Sequence, residues 1–155
     1  MTRHIAQVNI GRLQYAQGDP RAADFFANLD RINAMAERMP GFVWRLKDDT
    51  GNATAIGWPG DPTTILNMSV WESIEVLEKF VWRTAHANIY ARRDEWFERK
   101  TEPYFAMWWI AIGHRPTVGE AKERLDHLAA HGASDFAFDW QGAPEAKLWK
   151  SKRCA

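Results

Sequence analysis

The sequence has little cysteine, no excess of charge and no long apolar run, and each shortage excludes a class of protein. Its 155 residues include one cysteine, Cys154, which excludes an internal disulfide framework and a multi-cysteine zinc site. Lys+Arg and Asp+Glu both number 20, so a net charge of zero argues against nucleic-acid binding through bulk electrostatics. No apolar run approaches the ~20 residues of a membrane span, and no signal-peptide pattern opens the sequence. We therefore expect a cytoplasmic protein without nucleic-acid or membrane partners.

Tryptophan, by contrast, is abundant, with nine residues in the chain. The length suits one domain that buries a proper core. We expect residues 1–140 to form this domain and residues 141–155 to form a polar, loosely ordered tail.

The spacing of apolar residues predicts strands over 5–13, 42–47, 64–71 and 104–112, with a short last strand over 136–140. One helix begins at Asp19-Pro20 and ends at Pro40-Gly41. A second begins near Ser73 and continues or bends through Trp96, and a third follows a capping box at Thr117 and Glu120. The order predicts an α+β, ferredoxin-like split βαβ sheet with helices on one face and a C-terminal helix-plus-strand extension.

The predicted central strands each have an apolar and a polar face, and we expect the apolar face to pack beneath the two helices. The polar face then meets water or lines a cavity closed by a second sheet; its residues are Gln7, Asn9, Asn67 and Ser69, with Arg45 nearby. The loop 48–62, which carries Trp58, is either a surface loop or a lid or partner contact.

Three local patterns carry a family resemblance: Ser-Val-Trp-Glu-Ser at 69–73, Trp-Arg-Thr-Ala-His at 82–86, and Trp-Trp-Ile-Ala-Ile-Gly-His-Arg-Pro-Thr at 108–117. Together they resemble an uncharacterised bacterial domain-of-unknown-function family in the dimeric α/β-barrel superfamily, whose members are antibiotic biosynthesis monooxygenase-like. The resemblance covers roughly residues 4–140. It implies a homodimer packed sheet against sheet, with a pocket between the sheet and the helices of each subunit. The superfamily includes cofactor-free monooxygenases, haem-degrading monooxygenases, cyclases and isomerases, so the resemblance implies a fold rather than one reaction.

His86 is the leading candidate for catalysis. It lies four residues after Trp82, so both side chains share one side of the predicted helix. It could act as general acid/base or bind haem iron, or it could be a structural histidine bonded to a neighbour. Asn9 and His86 resemble the Asn and His of the haem-degrading enzymes, although Val76 stands where those enzymes have a tryptophan. The alternative for Asn9 is a polar residue on a solvated sheet face.

Further candidates for substrate contact come from the same regions: Trp82, Arg83, Trp108, Asn67, Arg45 and His114. Trp108 and Trp109 are adjacent on a strand, so one should enter the helix-side core and the other the pocket or the dimer interface. Structural alternatives are packing for the tryptophans, a turn hydrogen bond for His114 and solvation for the helix arginines. His127 and His131 have metal-chelating spacing, but we expect them on a solvated face.

These residues support three hypotheses. The first is an enzyme acting on a hydrophobic or aromatic small molecule in an internal pocket, with no cofactor and with His86 and Asn9 as catalytic residues. The second is a haem-binding protein with His86 as axial ligand. The third is a non-catalytic dimeric binding module in which the tryptophans only pack.

Overall fold

The computed structural model describes residues 3–48, 56–61, 63–99, 101–144 and 146. Its strands and helices follow in the order β1 Arg3–Arg12, α1 Ala23–Arg38, β2 Phe42–Arg45, β3 Thr64–Trp71, α2 Ile74–Arg83, α3 Ala85–Ala91, β4 Phe105–Ala111 and α4 Val118–His131. The four strands form one antiparallel sheet in the order β2-β3-β1-β4. This is the strand order of the ferredoxin-like split βαβ unit, so the predicted α+β fold is confirmed.

Side-chain caps begin α4 and the turn that leads into α1, as the sequence predicted. The Asp19 carboxylate accepts from the Arg21 amide before a 3-10 turn at Pro20–Ala22 that leads into α1. Thr117 caps α4 by accepting from the Glu120 amide, and α4 ends at Gly132, whose φ of 76° suits glycine. The Glu120 side chain does not complete the predicted capping box, because its carboxylate bonds to Trp108 and His114 instead.

The apolar face of the sheet packs against α4, not beneath α1 and α2, so that expectation was wrong. Ala6, Val8, Met68, Val70 and Trp108 are fully buried here. The residues of α4 that complete this cluster are Ala121, Leu125 and Leu128. Helix α4 is amphipathic and its apolar stripe needs a partner, and this sheet face is the one that α1 and α2 leave free.

The polar face of the sheet lies beneath α1, α2 and α3. Its apolar end is formed by Ile5, Trp71 and Met107, which pack with Ile74 and Leu77 of α2. Toward the other end of the strands come two cross-strand pairs, Gln7 with Ser69 and Asn9 with Asn67. This face therefore neither lies open to water nor faces a second sheet.

Three further differences concern chain ends and connections. The region 136–140 forms a single β-bridge from Phe138 to Met107 rather than a strand. Ala143 and Ala146 are buried in the same cluster as Ile5, Trp71 and Met107, so packing continues past Trp140. Residue 145 and residues 147–155, including Cys154, lie outside the described residues. Of the loop 48–62, residues 49–55 and 62 also lie outside them. Ile56 and Trp58 pack on the apolar-face cluster rather than over the helix side.

Both sheet faces are thus covered within one subunit. A homodimer remains a prediction, and it would need a surface other than an uncovered sheet face. Within the described ranges, no helix has the length and apolar character needed to cross a membrane.

Candidate functional site

A cavity of about 600 Å³ lies between the polar face of the sheet and helices α1, α2 and α3. Its volume falls within the roughly 300–1,000 Å³ of small-molecule sites. Charged residues that lie near the end of α3 are exposed on its rim: Arg93, Asp94, Glu98 and Arg99. The family resemblance implied a pocket between the sheet and the helices, and occupation of this cavity by a small molecule remains a prediction.

The cavity floor is a row of polar side chains on the two central strands. Gln7 Nε2 donates to Asn67 Oδ1 over 2.8 Å and to Ser69 Oγ over 2.7 Å. Ser69 Oγ also accepts from Trp71 Nε1 over 2.8 Å. Asn9 lies opposite Asn67 in the strand register. Burying a polar group costs free energy unless the group is hydrogen-bonded. The side chains of this row bond to one another, and they could also bond to oxygen or nitrogen atoms of a ligand.

An aromatic wall borders this floor and includes two side chains of the sheet itself, Trp71 and Phe105. Trp71 stacks on Phe80 with ring centroids 5.2 Å apart, and Phe105 stacks on Trp140 at 5.1 Å. Trp82 meets Tyr90 edge-to-face at 5.3 Å. Near the rim, Gly11 allows the Phe97 ring to approach, since a Cβ there would stand 2.6 Å from Phe97 Cδ1. Flat aromatic surfaces beside a polar floor favour a planar, largely apolar ligand with a few polar atoms.

His86 is held in this aromatic wall by the chain that precedes it. Its Nδ1 lies 3.2 Å from the Val81 carbonyl oxygen, and its ring lies 5.0 Å from the Phe80 ring. A carbonyl oxygen can only accept, so Nδ1 carries the proton and Nε2 presents a lone pair. Burial lowers the pKa of His86 from its ordinary 6.5, against the opposing effect of the Val81 bond. The imidazole is therefore neutral at pH 7, as a general base must be.

Two tyrosine hydroxyls share the cavity with His86. Tyr90 Oη lies 3.1 Å from Tyr104 Oη, and the Tyr90 ring is nearly parallel to the His86 ring at 6.4 Å. Burial, followed by the bond to Tyr104, raises the pKa of Tyr90 well above its usual value of 10. Tyr90 therefore stays protonated near neutrality, and its hydroxyl can donate to Tyr104 or to another acceptor.

The structure brings together five of the residues selected from the sequence and separates three others from them. Those that line the cavity are Asn9, Arg45, Asn67, Trp82 and His86. Arg45 is held there by an ion pair with Glu37 at 2.8 Å. The indole Nε1 of Trp82 is buried and has no acceptor among the described residues.

Arg83, Trp108 and His114, which were also expected to contact substrate, do not line this cavity. Arg83 is exposed at the last position of α2. Trp108 is fully buried on the apolar face, where its Nε1 donates to Glu120 Oε2 over 2.8 Å. His114 lies beside it, with Nε2 2.7 Å from Glu120 Oε1, which fits the structural alternative of a local hydrogen bond.

Sequence reasoning did not select Tyr90, Tyr104 or Thr84. Tyr90 follows His86 by four residues, which places both side chains on one side of α3, and this spacing was the available signal. Tyr104 reaches the cavity only through the tertiary fold. Across the residues that the structure describes, no group of three or more His, Cys, Asp or Glu side chains is placed to hold a metal ion.

Comparisons with known proteins identify a family but supply no reaction. A family model described as "Domain of unknown function (DUF3291)" matches residues 4–154. A conserved protein from Methanosarcina mazei Go1 is 15% identical over 70% of this chain and 92% of its own, with a TM-score of 0.49. PA3566 from Pseudomonas aeruginosa is 11% identical over 72% of this chain and 95% of its own, with a TM-score of 0.47. SnoaB from Streptomyces nogalater, a cofactor-independent oxygenase, is 13% identical over 72% of this chain and 95% of its own, with a TM-score of 0.44. No curated protein matches the chain.

Proposed function

We propose that this chain, which belongs to the DUF3291 family, is an enzyme that removes a proton from an aromatic small molecule in the cavity, with His86 as the base. The observation that carries the proposal is the imidazole of His86 in the wall of a cavity of about 600 Å³, with its Nδ1 3.2 Å from the Val81 carbonyl oxygen. A base with a lowered pKa in a concave, partly apolar site is typical of catalytic centres.

The remaining cavity groups fit the two other needs of such a reaction. The aromatic wall gives a planar substrate a surface on which to stack, and the floor offers hydrogen bonds that orient its polar atoms. The Tyr90–Tyr104 pair offers an O–H donor to an oxygen on which negative charge develops. Asn9 and Asn67 are proposed to orient the substrate from the floor.

The step needs no cofactor, because the proton leaves the substrate for His86 Nε2 and leaves an anion and an imidazolium. Return of that proton to another substrate atom is an isomerisation. Attack of the anion on an electrophilic carbon of the same molecule, with the proton then returned to the atom that gains the negative charge, is a cyclisation. Reaction of the anion with molecular oxygen would instead be a cofactor-free oxygenation. All these outcomes begin with the same proton transfer.

The test is deuterium incorporation from heavy water into a panel of phenols, naphthols and aromatic ketones, followed by mass spectrometry in air and under nitrogen. We expect at least one compound to exchange or convert, and His86→Gln to slow it by about 10²–10⁴-fold, the usual contribution of a general base. His131→Gln, a matched change on the exposed end of α4, should leave the rate unchanged. Equal rates in wild type and His86→Gln would contradict the proposal.

One observation also favours haem binding as a second candidate. Metal-ligating histidines usually donate their other ring N–H to a carboxylate, carbonyl or water, as His86 Nδ1 does to Val81. If haem binds, His86 Nε2 would hold the iron and the aromatic wall would contact the porphyrin. Titration with hemin should then give a saturable Soret band in wild type that is lost in His86→Gln; its absence would exclude this candidate.

A further inference from the structure

The helix that the sequence predicted from Ser73 to Trp96 is broken at Thr84, without glycine or proline. Thr84 has φ −121° and ψ −177°, an extended conformation between α2 and α3. In a continuous helix, the carbonyls of Phe80 and Val81 would accept from the amides four residues later, at positions 84 and 85. The extended residue turns the chain, and side chains occupy both carbonyls instead.

The Thr84 hydroxyl makes two bonds whose directions are fixed by chemistry. Its Oγ1 lies 2.6 Å from the Phe80 carbonyl oxygen, to which it must donate. It lies 3.2 Å from the His86 amide nitrogen, from which it must accept. One hydroxyl therefore ends α2 and caps the first turn of α3, which carries His86.

The second carbonyl, that of Val81, is occupied by the His86 ring itself. The break therefore creates the acceptor that holds the proton on Nδ1, and the cap holds the backbone from which the ring reaches it. The rings of Phe80 and Tyr90 lie near the imidazole and limit its rotation. Nε2 makes no hydrogen bond to the described part of the chain, and His86 lines the cavity.

We infer that Thr84 is a positioning residue whose hydroxyl, through the helix break, fixes His86 as the tautomer with an unprotonated Nε2. It follows that the cavity recognises aromatic molecules that donate a hydrogen to that nitrogen, such as phenols and N–H heteroaromatics. This inference rests on the proposed role of His86 in the cavity and adds the donor class of the ligand.

The tautomer is measured directly by long-range ¹H–¹⁵N correlation spectra of protein labelled at its histidines, with the His86 signals assigned by their loss in His86→Gln. In wild type we expect the proton on Nδ1. Thr84→Ser keeps the hydroxyl and should keep this tautomer. Thr84→Val keeps the shape but loses both bonds, so we expect a mixture of tautomers. A proton on Nε2 in wild type would overturn the inference.

The same variants test the ligand class with 2-naphthol, which donates a hydrogen, and 2-methoxynaphthalene, which does not. Wild type and Thr84→Ser should bind 2-naphthol about 2- to 12-fold more tightly, the effect of one net hydrogen bond. In Thr84→Val the ratio of the two dissociation constants should fall toward one. Because all three proteins are tested with the same two probes, the change in this ratio does not depend on the difference in size between the probes. Circular dichroism and melting temperature show whether Thr84→Val is folded.

The outcomes separate this inference from the proposed function. Equal binding of both probes in wild type would overturn the ligand class, while cavity binding would stand. A folded Thr84→Val protein with the wild-type tautomer and the wild-type ratio would overturn the role of Thr84. Binding of neither probe would count against the proposed function, and the tautomer spectra would then judge Thr84 by themselves.

Discussion

The two faces of the sheet are built from the same strands but are covered in opposite ways. On one face, Val8, Met68, Val70 and Trp108 are fully buried beneath α4. On the other, Gln7, Asn9, Asn67 and Ser69 lie beneath α1, α2 and α3, and a cavity remains. Each face includes a buried tryptophan whose Nε1 is bonded, Trp108 to Glu120 and Trp71 to Ser69.

The difference shows how a small domain can divide stability and binding between two sides of one sheet. A filled apolar face contributes roughly 25 cal/mol per Å² of apolar surface buried. A row of polar side chains beneath helices contributes less to the free energy of folding and leaves room for a ligand. In this domain the C-terminal extension, α4, packs against the filled face, so α1, α2 and α3 are free to form the cavity.

The largest effect should follow from breaking the filled face. Trp108→Ala removes a fully buried indole and should lower the free energy of unfolding by about 3–5 kcal/mol. Urea unfolding measures this, with Glu123→Ala on the exposed side of α4 as the control. A loss below about 1 kcal/mol would mean that α4 does not hold this face.

An intermediate effect should come from removing the acceptor of either buried indole. Glu120→Ala and Ser69→Ala each leave a buried N–H without its partner, at about 1–3 kcal/mol. We expect the smaller loss for Ser69→Ala, because water in the cavity can replace the hydroxyl, and Ser69→Thr should restore the acceptor. Equal losses in urea unfolding would show that the cavity face is as dry as the other.

A smaller effect should appear as pH dependence on the cavity face. Because the pKa of His86 is lowered by burial, the unfolded chain binds a proton near pH 6.5 that the folded protein does not. The free energy of unfolding should therefore fall as pH falls below about 6.5, by at most about 1.4 kcal/mol per pH unit from this residue. His86→Gln should show a shallower slope between pH 7.5 and 5.5, and an unchanged slope would place His86 in water.

The smallest effect should be that of His114 at the edge of the filled face. Its side chain is 45% exposed and its Nε2 bonds to Glu120 Oε1, so His114→Ala should change the free energy of unfolding by less than about 1 kcal/mol. Urea unfolding is again the measurement. A loss of unfolding free energy comparable to that of Glu120→Ala would show that Glu120 stabilises the fold through His114 and not through its bond to Trp108.

The sequence predicted the strands well because their alternation is local. It placed β3 at its observed bounds and separated the polar from the apolar face of β1. It did not show which helix covers which face, because an apolar stripe on α4 fits any apolar surface and only the tertiary arrangement decides. The expected packing beneath α1 and α2 was wrong for that reason.

The candidate site was predicted only in part, because local spacing shows which face a residue lies on but not which elements pack together. Asn9, Asn67 and His86 were selected from strand alternation and helix spacing, and they line one cavity. Trp108 was selected because adjacent strand residues point to opposite faces, and His114 because it follows a strand end. Their partner Glu120 was interpreted only as a helix cap. The break at Thr84 was missed because no glycine or proline marks it; the available signal was a threonine able to cap the helix that follows.

The most direct test of the central claim, that the polar face holds a ligand-binding base, is calorimetric titration of 2-naphthol into wild type and His86→Phe. Phenylalanine keeps an aromatic ring in the wall and removes the nitrogen. The account predicts saturable one-to-one binding in wild type, weakened about 2- to 12-fold in His86→Phe. Equal binding by the two proteins, or no saturable binding in wild type, would contradict it.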